Sequence, residues 1–251
     1  MGPQTIGPFE TSIGRFVGRR SLRRAALVLS RDTVSASYAA ALGRSVDASV
    51  TDVVFALPPP EPSATRHDVI VNVSGLLWQE NKHVDSANYR DQCGELVQRL
   101  QEQGREVSLL AHVGEGSTTD DDVPAVRALA ALFSPNVKTI LPASLADARA
   151  NLSRANLVIA PRMHACLNAL SCGVPVISLG YSRKAGPLLE DLGWDASVDI
   201  RADRSWARTV LATESALERE PGLEREREPG QAREPGQGRA PAEARAPPEL
   251  G

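Results

Sequence analysis

The sequence predicts an α/β domain in which helices cover both faces of a doubly wound, Rossmann-like parallel sheet. Apolar runs such as residues 157–160 are short and continuous, as is typical of strands buried on both faces. Segments with the apolar spacing of helices separate these runs, and Gly104, Gly173 and Gly193 each follow such a segment. Strands and helices therefore alternate strictly, and this alternation predicts the doubly wound sheet.

The composition argues against several classes of protein. The chain has 251 residues, 42% of them hydrophobic, which is enough for one large domain or two small ones. A net charge of -3 gives no general attraction to nucleic acid. No apolar run approaches the roughly 18 residues of a membrane span, and no signal-peptide pattern opens the chain. Cys93, Cys166 and Cys172 lack metal spacing, so we expect a cytoplasmic protein without a disulfide framework or a metal site. Cys166 and Cys172, which flank a short predicted helix, are expected to be small apolar packing residues.

Residues 1–62 are predicted to form a connecting segment. It opens with a Gly/Pro-rich loop and an arginine-rich helix whose basic outer face we interpret as solvated. Four prolines between residues 58 and 62 then end the predicted strand within residues 47–57, and we place a domain boundary there. The predicted elements of this segment are helices at residues 14–26 and 35–42, and strands at residues 27–29 and within 47–57.

The predicted Rossmann-like domain covers residues 63–217. Ser144 caps one of its helices with Asp147 in the capping-box position, and the acidic run of residues 120–122 suits the start of another. The predicted strands are residues 68–73, 107–111, 137–141, 157–160, 174–179 and 198–200, and the predicted helices are residues 87–103, 123–133, 144–153, 165–171, 184–192 and 205–217.

From residue 218 to residue 251 the composition changes. Arg, Glu, Pro and Gly dominate, the tetrapeptide Arg-Glu-Pro-Gly recurs, and no apolar periodicity remains. We expect this tail to be disordered.

The strongest functional signal lies in residues 155–184, a strand–turn–helix–strand unit. We expect Arg162 and His164 in the turn after its first strand, at the edge where open α/β sheets bind ligands. A histidine can exchange protons near neutral pH, and the planar fork of an arginine can hold a carboxylate or a phosphate. The amino terminus of the following helix also favours an anion. The alternative is a structural pair, in which His164 caps the helix and Arg162 is solvated.

Other polar residues follow other predicted strands. Because the carboxyl ends of parallel strands meet at one edge of a sheet, we expect these residues to line the same cleft. The candidates are Asn72, Ser74, His112, Tyr181 and Lys184.

Arg31 follows a short strand of the connecting segment, and we predict it as a second ligand for an anion. The alternative is that Asp32 caps a turn and Arg31 is its salt-bridge partner. His67 is expected in a polar loop, facing solvent. No P-loop, G-x-G-x-x-G, H-E-x-x-H or G-x-S-x-G pattern occurs in the chain. Histidine and arginines without a metal motif favour acid–base transfer chemistry on an anionic substrate.

Residues 160–193, APRMHACLNALSCGVPVISLGYSRKAGPLLEDLG, resemble the polysaccharide pyruvyl transferase family. The Arg-x-His turn, the helix and strand ALSCGVPVI, and a Tyr-x-x-Lys followed by a Leu-Leu helix carry the resemblance. Supporting matches are IGPF at residues 6–9, SRDTVS at 30–35, the aspartate Asp52 and VIVNVSGLL at 69–77, so the resemblance covers roughly residues 5 to 195.

The resemblance implies a fold and a reaction. The fold is one Rossmann-like half of a GT-B-type, two-domain architecture. The reaction transfers pyruvate from phosphoenolpyruvate onto two hydroxyls of a sugar as a ketal, in the synthesis of a cell-surface glycan such as an exopolysaccharide or cell-wall polymer. Arg162 would bind the anionic donor, His164 would be the acid–base residue, and Arg31 would lie beside the donor. The scheme needs no metal and no cofactor, and its partners are the small-molecule donor and a glycan acceptor.

The family usually has an amino-terminal Rossmann half before the IGPF segment, and here that segment starts at residue 6. We therefore expect the carboxyl-terminal half plus a connecting segment, which forms a homo-oligomer or pairs with a chain that supplies the missing half. Two other functions stay open at this point. One is a GT-B-type glycosyltransferase that uses a nucleotide-sugar. The other is a catalytically incomplete half-domain that pairs with another chain and uses its tail as a tether.

Overall fold

The computed structural model describes residues 2–114, 120–182 and 186–217. Its strands are β1 (Leu29–Ser30), β2 (Ala48–Ser49), β3 (His67–Asn72), β4 (Val107–Leu110), β5 (Lys138–Ile140), β6 (Ala155–Ala160), β7 (Val176–Gly180) and β8 (Ser197–Asp199). Its helices are α1 (Ser12–Arg24), α2 (Thr33–Ala41), α3 (Gly75–Trp78), α4 (Ser86–Glu102), α5 (Val123–Phe133), α6 (Leu145–Leu152), α7 (Met163–Ser171), α8 (Gly186–Asp191) and α9 (Trp206–Leu217), with a 3-10 turn at Val53–Ala56.

The main sheet has the order expected of a doubly wound fold. Within the described residues, six strands pair in parallel in the order β5–β4–β3–β6–β7–β8. The chain adds β4 and β5 on one side of β3, then returns to pair β6 with its other side and continues outward. The direction of winding thus reverses between β3 and β6. At such a switch point the flanking loops diverge and leave a crevice at the carboxyl ends of the strands.

Two apolar layers hold helices on both faces of the sheet. Alternate residues of β3 point to opposite faces, with Val69 and Val71 on one side and Ile70 on the other. Helices α4, α5 and α9 cover the first face, and α6 and α7 cover the second. Cys93 and Cys166 are buried in these layers, and burial raises the pKa of each thiol to about 12, so both pack as neutral apolar residues, as predicted for Cys166, whereas Cys172 is only partly buried.

The connecting segment forms a smaller unit that packs against the main sheet's helices. Within it, β1 and β2 pair in parallel over a small apolar cluster that includes Ile6 and Leu22. The amide and hydroxyl of Thr33 at the start of α2 donate to the carboxylate of Asp191 at the end of α8, at 2.7 and 3.0 Å. The 3-10 turn packs through Val54 onto α7 and α8. These contacts place residues of this segment beside α7, while the predicted division at residue 62 stays a prediction.

The structure differs from the sequence predictions in three places. The strand expected within residues 47–57 is only β2, because the Asp52 carboxylate accepts the Val54 amide at 3.1 Å and turns the chain into a 3-10 helix. His67 is not solvent-facing: it starts β3, is 6% exposed and lies 3.0 Å from the hydroxyl of Ser108. Helix α7 begins at Met163, so His164 lies in its first turn rather than in a loop.

Two predictions fall where nothing is described: the disordered tail and Lys184 both lie outside the described residues. Among the helices of the described chain, none combines the length and the apolar character that crossing a bilayer requires.

Candidate functional site

A cleft of about 280 Å³ lies at the switch point, where the carboxyl ends of the central strands meet. Its lining comes from three loops, with His112 after β4, Arg162 and His164 after β6, and Tyr181 after β7. Four of the residues selected from the sequence are therefore neighbours in the fold. The other lining residues are Val113, Asp120, Pro161, Met163, Leu179 and Ser182.

Helix α7 starts inside this cleft. Arg162 is its N-cap residue, in an extended conformation with φ of -77° and ψ of 115°. The Arg162 carbonyl accepts the amides of Ala165 and Cys166, at 2.9 and 3.1 Å. The amides of Met163 and His164 belong to the first turn and have no acceptor within the helix. The cleft therefore combines a helix amino terminus with the two residues of the Arg-x-His motif.

Two aspartates hold the guanidinium of Arg162. Its Nη2 lies 2.6 Å and its Nε 3.2 Å from Oδ1 of Asp122, and Nη2 also donates to the Asp120 carbonyl at 2.7 Å. Nη1 lies 3.0 Å from Oδ1 of Asp120. Burial alone would lower the pKa of Arg162, but the carboxylates of Asp122 and Asp120 outweigh it and raise that pKa. The predicted solvated arginine is not observed, because the side chain is only 9% exposed.

Asp122 connects the loops around the switch point. Its side chain is fully buried. Besides Arg162, it accepts the amide of Gly75 at 2.8 Å, the amides of His112 and Val113 at 3.1 Å each, and the side-chain amide of Asn72 at 3.2 Å. The loops after β3, β4 and β6 are thus tied to one carboxylate. Buried charge of this kind is tolerated only where it is paired and hydrogen-bonded.

A second ion pair brings the connecting segment to the cleft. Nη1 of Arg31 lies 2.8 Å from Oδ2 of Asp52, and the same Oδ2 is 3.9 Å from Nε2 of His164. The His164 side chain is 56% exposed, whereas Asp52 is 5% exposed. Asp32 caps α2 and does not pair with Arg31, so the partner predicted for Arg31 in the structural alternative is replaced by Asp52.

His112 is the most strongly perturbed titratable group of the cleft. Burial lowers its pKa to about 4, the positive charges of His164 and Arg162 act in the same direction, and Asp122 opposes them. Among the described residues, Nδ1 of His112 has no hydrogen-bond partner. At neutral pH this imidazole is uncharged, so it can offer a hydrogen bond or a lone pair but no positive charge.

Tyr181 closes the side of the cleft next to β7. Burial raises the pKa of its phenol, Asp120 and Asp122 add to the shift, and Arg162 opposes it. The ring of His83 packs edge-on against the Tyr181 ring, with 5.4 Å between the centroids. The phenol is therefore protonated at neutral pH and available as a hydrogen-bond donor near Arg162.

Asn72 and Ser74 lie beneath the cleft rather than on its surface. Asn72 is 1% exposed and donates to Asp122 and to the Leu110 carbonyl, and Ser74 is fully buried. Their placement supports the Asp122 cluster, and a direct contact with a substrate stays a prediction. The same holds for Lys184, which lies outside the described residues.

A larger cavity of about 580 Å³ adjoins the first, because His112 lines both. Arg127 of α5 and Ser144, the N-cap of α6, contribute its polar groups. In the part of the chain that is described, no group of three or more His, Cys, Asp and Glu side chains is arranged to hold a metal ion.

The sequence model of one protein family, polysaccharide pyruvyl transferase, matches residues 1–183. The chain belongs to the polysaccharide pyruvyl transferase family. The match includes the Arg-x-His turn that lines the cleft and the Arg31–Asp52 pair beside His164 in this family member. No curated protein matches the sequence significantly.

Solved structures similar to this family member are sugar-nucleotide enzymes. UDP-GlcNAc 2-epimerase from Neisseria meningitidis, bound to UDP-GlcNAc, has a TM-score of 0.52 at 13% identity over 86% of this chain and 61% of that chain. The Methanocaldococcus jannaschii UDP-GlcNAc 2-epimerase, in complex with UDP-GlcNAc and UDP, has a TM-score of 0.55 at 12% identity, and the match covers 82% of this chain and 57% of that chain. A putative UDP-N-acetylglucosamine 2-epimerase from Listeria monocytogenes has a TM-score of 0.53 at 15% identity, and the match covers 83% of this chain and 55% of that chain.

These likenesses concern the fold alone, since the identities are 12 to 15%. They confirm the predicted Rossmann-like, GT-B-type architecture. The chain spans only 55 to 61% of the length of the three structures.

The functional residues that the sequence does not reveal are the carboxylates. The pattern predicts Asp120 and Asp122 at a helix start, and Asp52 enters only as a match to the family. A buried arginine at the end of a buried strand needs a carboxylate partner, and that requirement was the available signal. It does not say which of the 31 acidic residues supplies the partner.

Proposed function

We propose that this chain carries the donor site of a polysaccharide pyruvyl transferase, in which phosphoenolpyruvate gives its pyruvate to a sugar diol as a cyclic ketal. The observation that supports this most directly is the cleft where Arg162 and the exposed imidazole of His164 stand together at the switch point. Membership of the family supports the reaction class. In this proposal the acceptor is a precursor of a cell-surface glycan.

Arg162 can receive the donor without losing its buried partner. Its contacts to Asp122 lie on Nε and Nη2, whereas Nη1 faces Asp120, whose side chain is 42% exposed. A guanidinium has five N–H donors, and two of them are on Nη1. The carboxylate or phosphate of the donor takes the place of the Asp120 carboxylate there, while Asp122 keeps the arginine oriented. The free amides at the start of α7 and the phenol of Tyr181 add donors to the same anion.

His164 supplies and recovers protons in this scheme. Its imidazolium protonates the methylene carbon of phosphoenolpyruvate, which becomes a methyl group and leaves an oxocarbenium-like C2. A sugar hydroxyl adds to C2 and returns its proton to the imidazole. The C2–O bond to phosphate breaks, phosphate leaves, and a second hydroxyl closes the ketal as its proton passes to phosphate or solvent. Arg162 stabilises the negative charge of the carboxylate and of the departing phosphate.

The first test is calorimetric titration of phosphoenolpyruvate into the full chain. We expect saturable binding that Arg162→Lys weakens at least about tenfold, because a lysine keeps the charge but lacks the planar fork. Asp120→Asn should tighten binding by about threefold to tenfold, since it removes a competing charge worth about 1 kcal/mol. Circular dichroism and thermal unfolding of each variant show whether it is folded. A folded chain that binds a nucleotide-sugar and no phosphoenolpyruvate would replace this proposal by glycosyl transfer.

The second test follows release of phosphate in the presence of sugar acceptors, with pyruvate ketal formation verified by mass spectrometry. His164→Ala should lower kcat by about 10²- to 10⁴-fold, the usual contribution of a general acid–base residue. Transfer that His164→Ala leaves unimpaired would refute the assigned role. Activity that appears only when a second chain is added would support the half-domain alternative.

A further inference from the structure

A buried carboxylate, Asp52, lies where the connecting segment reaches the cleft. It precedes the 3-10 turn, and its Oδ1 accepts the amide of Val54 at 3.1 Å. The side chain is 5% exposed. One oxygen thus shapes the turn, and Oδ2 is left for partners outside it.

Arg31 fixes that second oxygen. Its Nη1 lies 2.8 Å from Oδ2, while Nε and Nη2 donate to the hydroxyl of Thr5 at 3.1 and 2.7 Å. Nη2 also approaches Sδ of Met163 at 3.7 Å. Arg31 is 11% exposed and does not line the cleft. These contacts use four of its five N–H donors, and its link to the cleft runs through the oxygen that Asp52 presents to His164.

The second neighbour of Oδ2 is His164. Nε2 of the imidazole is 3.9 Å away, beyond hydrogen-bond distance, so a bond between the two atoms requires the exposed His164 side chain to turn towards Asp52. An imidazolium at His164 is attracted by the buried carboxylate of Asp52, whereas the neighbouring His112 is uncharged at neutral pH.

We propose that Asp52, clamped by Arg31, is a positioning residue that orients the imidazole of His164. The inference rests on the proposed function, in which His164 moves the proton. With Nε2 turned towards Asp52, Nδ1 is the nitrogen left to exchange a proton with the donor carbon and the sugar hydroxyl. Arg31 then contributes to the site by holding Asp52, and not as a direct ligand of the donor.

The variant that isolates this role is Asp52→Ser. A serine hydroxyl can still accept the Val54 amide and keep the turn, but it is too short to reach Arg31 or His164. Asp32→Ser is the matched control, because Asp32 is another buried aspartate of the same segment that caps a helix, and its two oxygens accept the amide and the hydroxyl of Ser35 at 2.6 and 2.8 Å.

The readout that does not depend on activity is the order of the His164 ring, measured by ¹³C relaxation of Cε1 in the full chain. We expect an order parameter near about 0.85 in the wild type and a fall to about 0.6 or below in Asp52→Ser, with no change in Asp32→Ser. In the transfer assay, Asp52→Ser should lower kcat by about 10- to 100-fold and leave the KM for phosphoenolpyruvate within about threefold, because proton transfer and not donor binding is affected.

A folded Asp52→Ser protein whose His164 ring is as ordered as in the wild type overturns the inference, whatever its activity. A KM that rises in step with the fall in kcat also overturns it, because donor binding would then be the function of Asp52. Loss of ring order in a protein whose wild type transfers no pyruvate would confirm the contact and refute the proposed function instead.

Discussion

Replacing Asp122 by asparagine tests the contact network on which the whole cleft depends. Six N–H donors converge on this carboxylate, three on each oxygen: Gly75, Nε and Nη2 of Arg162 on Oδ1, and Asn72, His112 and Val113 on Oδ2. An asparagine has the same shape, but one of its two ends is an NH₂ group. In either orientation, three donors then face another donor.

The magnitude follows from burial. The Asp122 side chain has no exposed area, so water cannot replace the lost acceptor without opening the loops. Breaking a buried charged pair costs about 3–5 kcal/mol, and Arg162 keeps only its contacts to Asp120. We expect Asp122→Asn to lower the free energy of unfolding by about 3–5 kcal/mol, and Tm by about 10 °C.

The assay is urea unfolding followed by circular dichroism and tryptophan fluorescence. Asp121→Asn is the control in the neighbouring position, because Oδ1 of Asp121 accepts the amide of Val123 at 2.8 Å, and the side-chain oxygen of asparagine can accept it equally well. The free energy of unfolding of Asp121→Asn should stay within about 0.5 kcal/mol of the wild-type value. The reasoning is refuted if Asp122→Asn costs less than about 1 kcal/mol, or no more than Asp121→Asn.

Two further predictions concern backbone contact and pH. A Cβ at Gly75 would lie 1.8 Å from the Asp121 carbonyl oxygen, so Gly75→Ala should destabilise the protein by about 3 kcal/mol or more. At Gly94 in α4 nothing lies within 4 Å of an added Cβ, so Gly94→Ala should stabilise the protein by about 0.5–1 kcal/mol. Urea unfolding of both variants measures these changes. The pKa of His112 falls from 6.5 to about 4 on folding. Between pH 6.5 and about pH 4 the unfolded chain therefore binds more protons than the folded chain. The free energy of unfolding should drop by about 3 kcal/mol as the pH is lowered through this range. In His112→Gln the free energy of unfolding should fall less steeply over that range, and an equally steep fall would contradict the assignment.

Much of the fold follows from local patterns. The apolar runs and the helical spacing predict each strand of the main sheet to within about two residues, because a strand buried on both faces needs a continuous apolar run. The predicted helix at residues 123–133 coincides with α5. The exception is the strand predicted within residues 47–57, where one side-chain hydrogen bond from Asp52 overrides an apolar run.

The candidate site divides in the same way. Arg162 and His164 could be placed at the ligand edge from the sequence, because they directly follow a buried strand. The carboxylate that pairs with Arg162 could not be predicted from the sequence. The acidic run of residues 120–122 looks like a helix start, and Asp121 does accept the first amide of α5, whereas the side chain of Asp122, the N-cap residue, turns inward to the arginine. Local sequence does not distinguish these neighbouring aspartates, because the difference is made by a strand 40 residues further along the chain.

By itself the sequence determined the class of fold, the family-like Arg-x-His turn and the end of the strand that carries it, since these depend on residues that are close in the chain. Only the tertiary structure decided that β6 returns to pair with β3, and so brings Arg162 to Asp122 and His164 to Asp52. The physical reason is that strand order and the pairing of buried charges are set by packing between segments far apart in sequence. Such contacts leave no periodic signal in either segment alone.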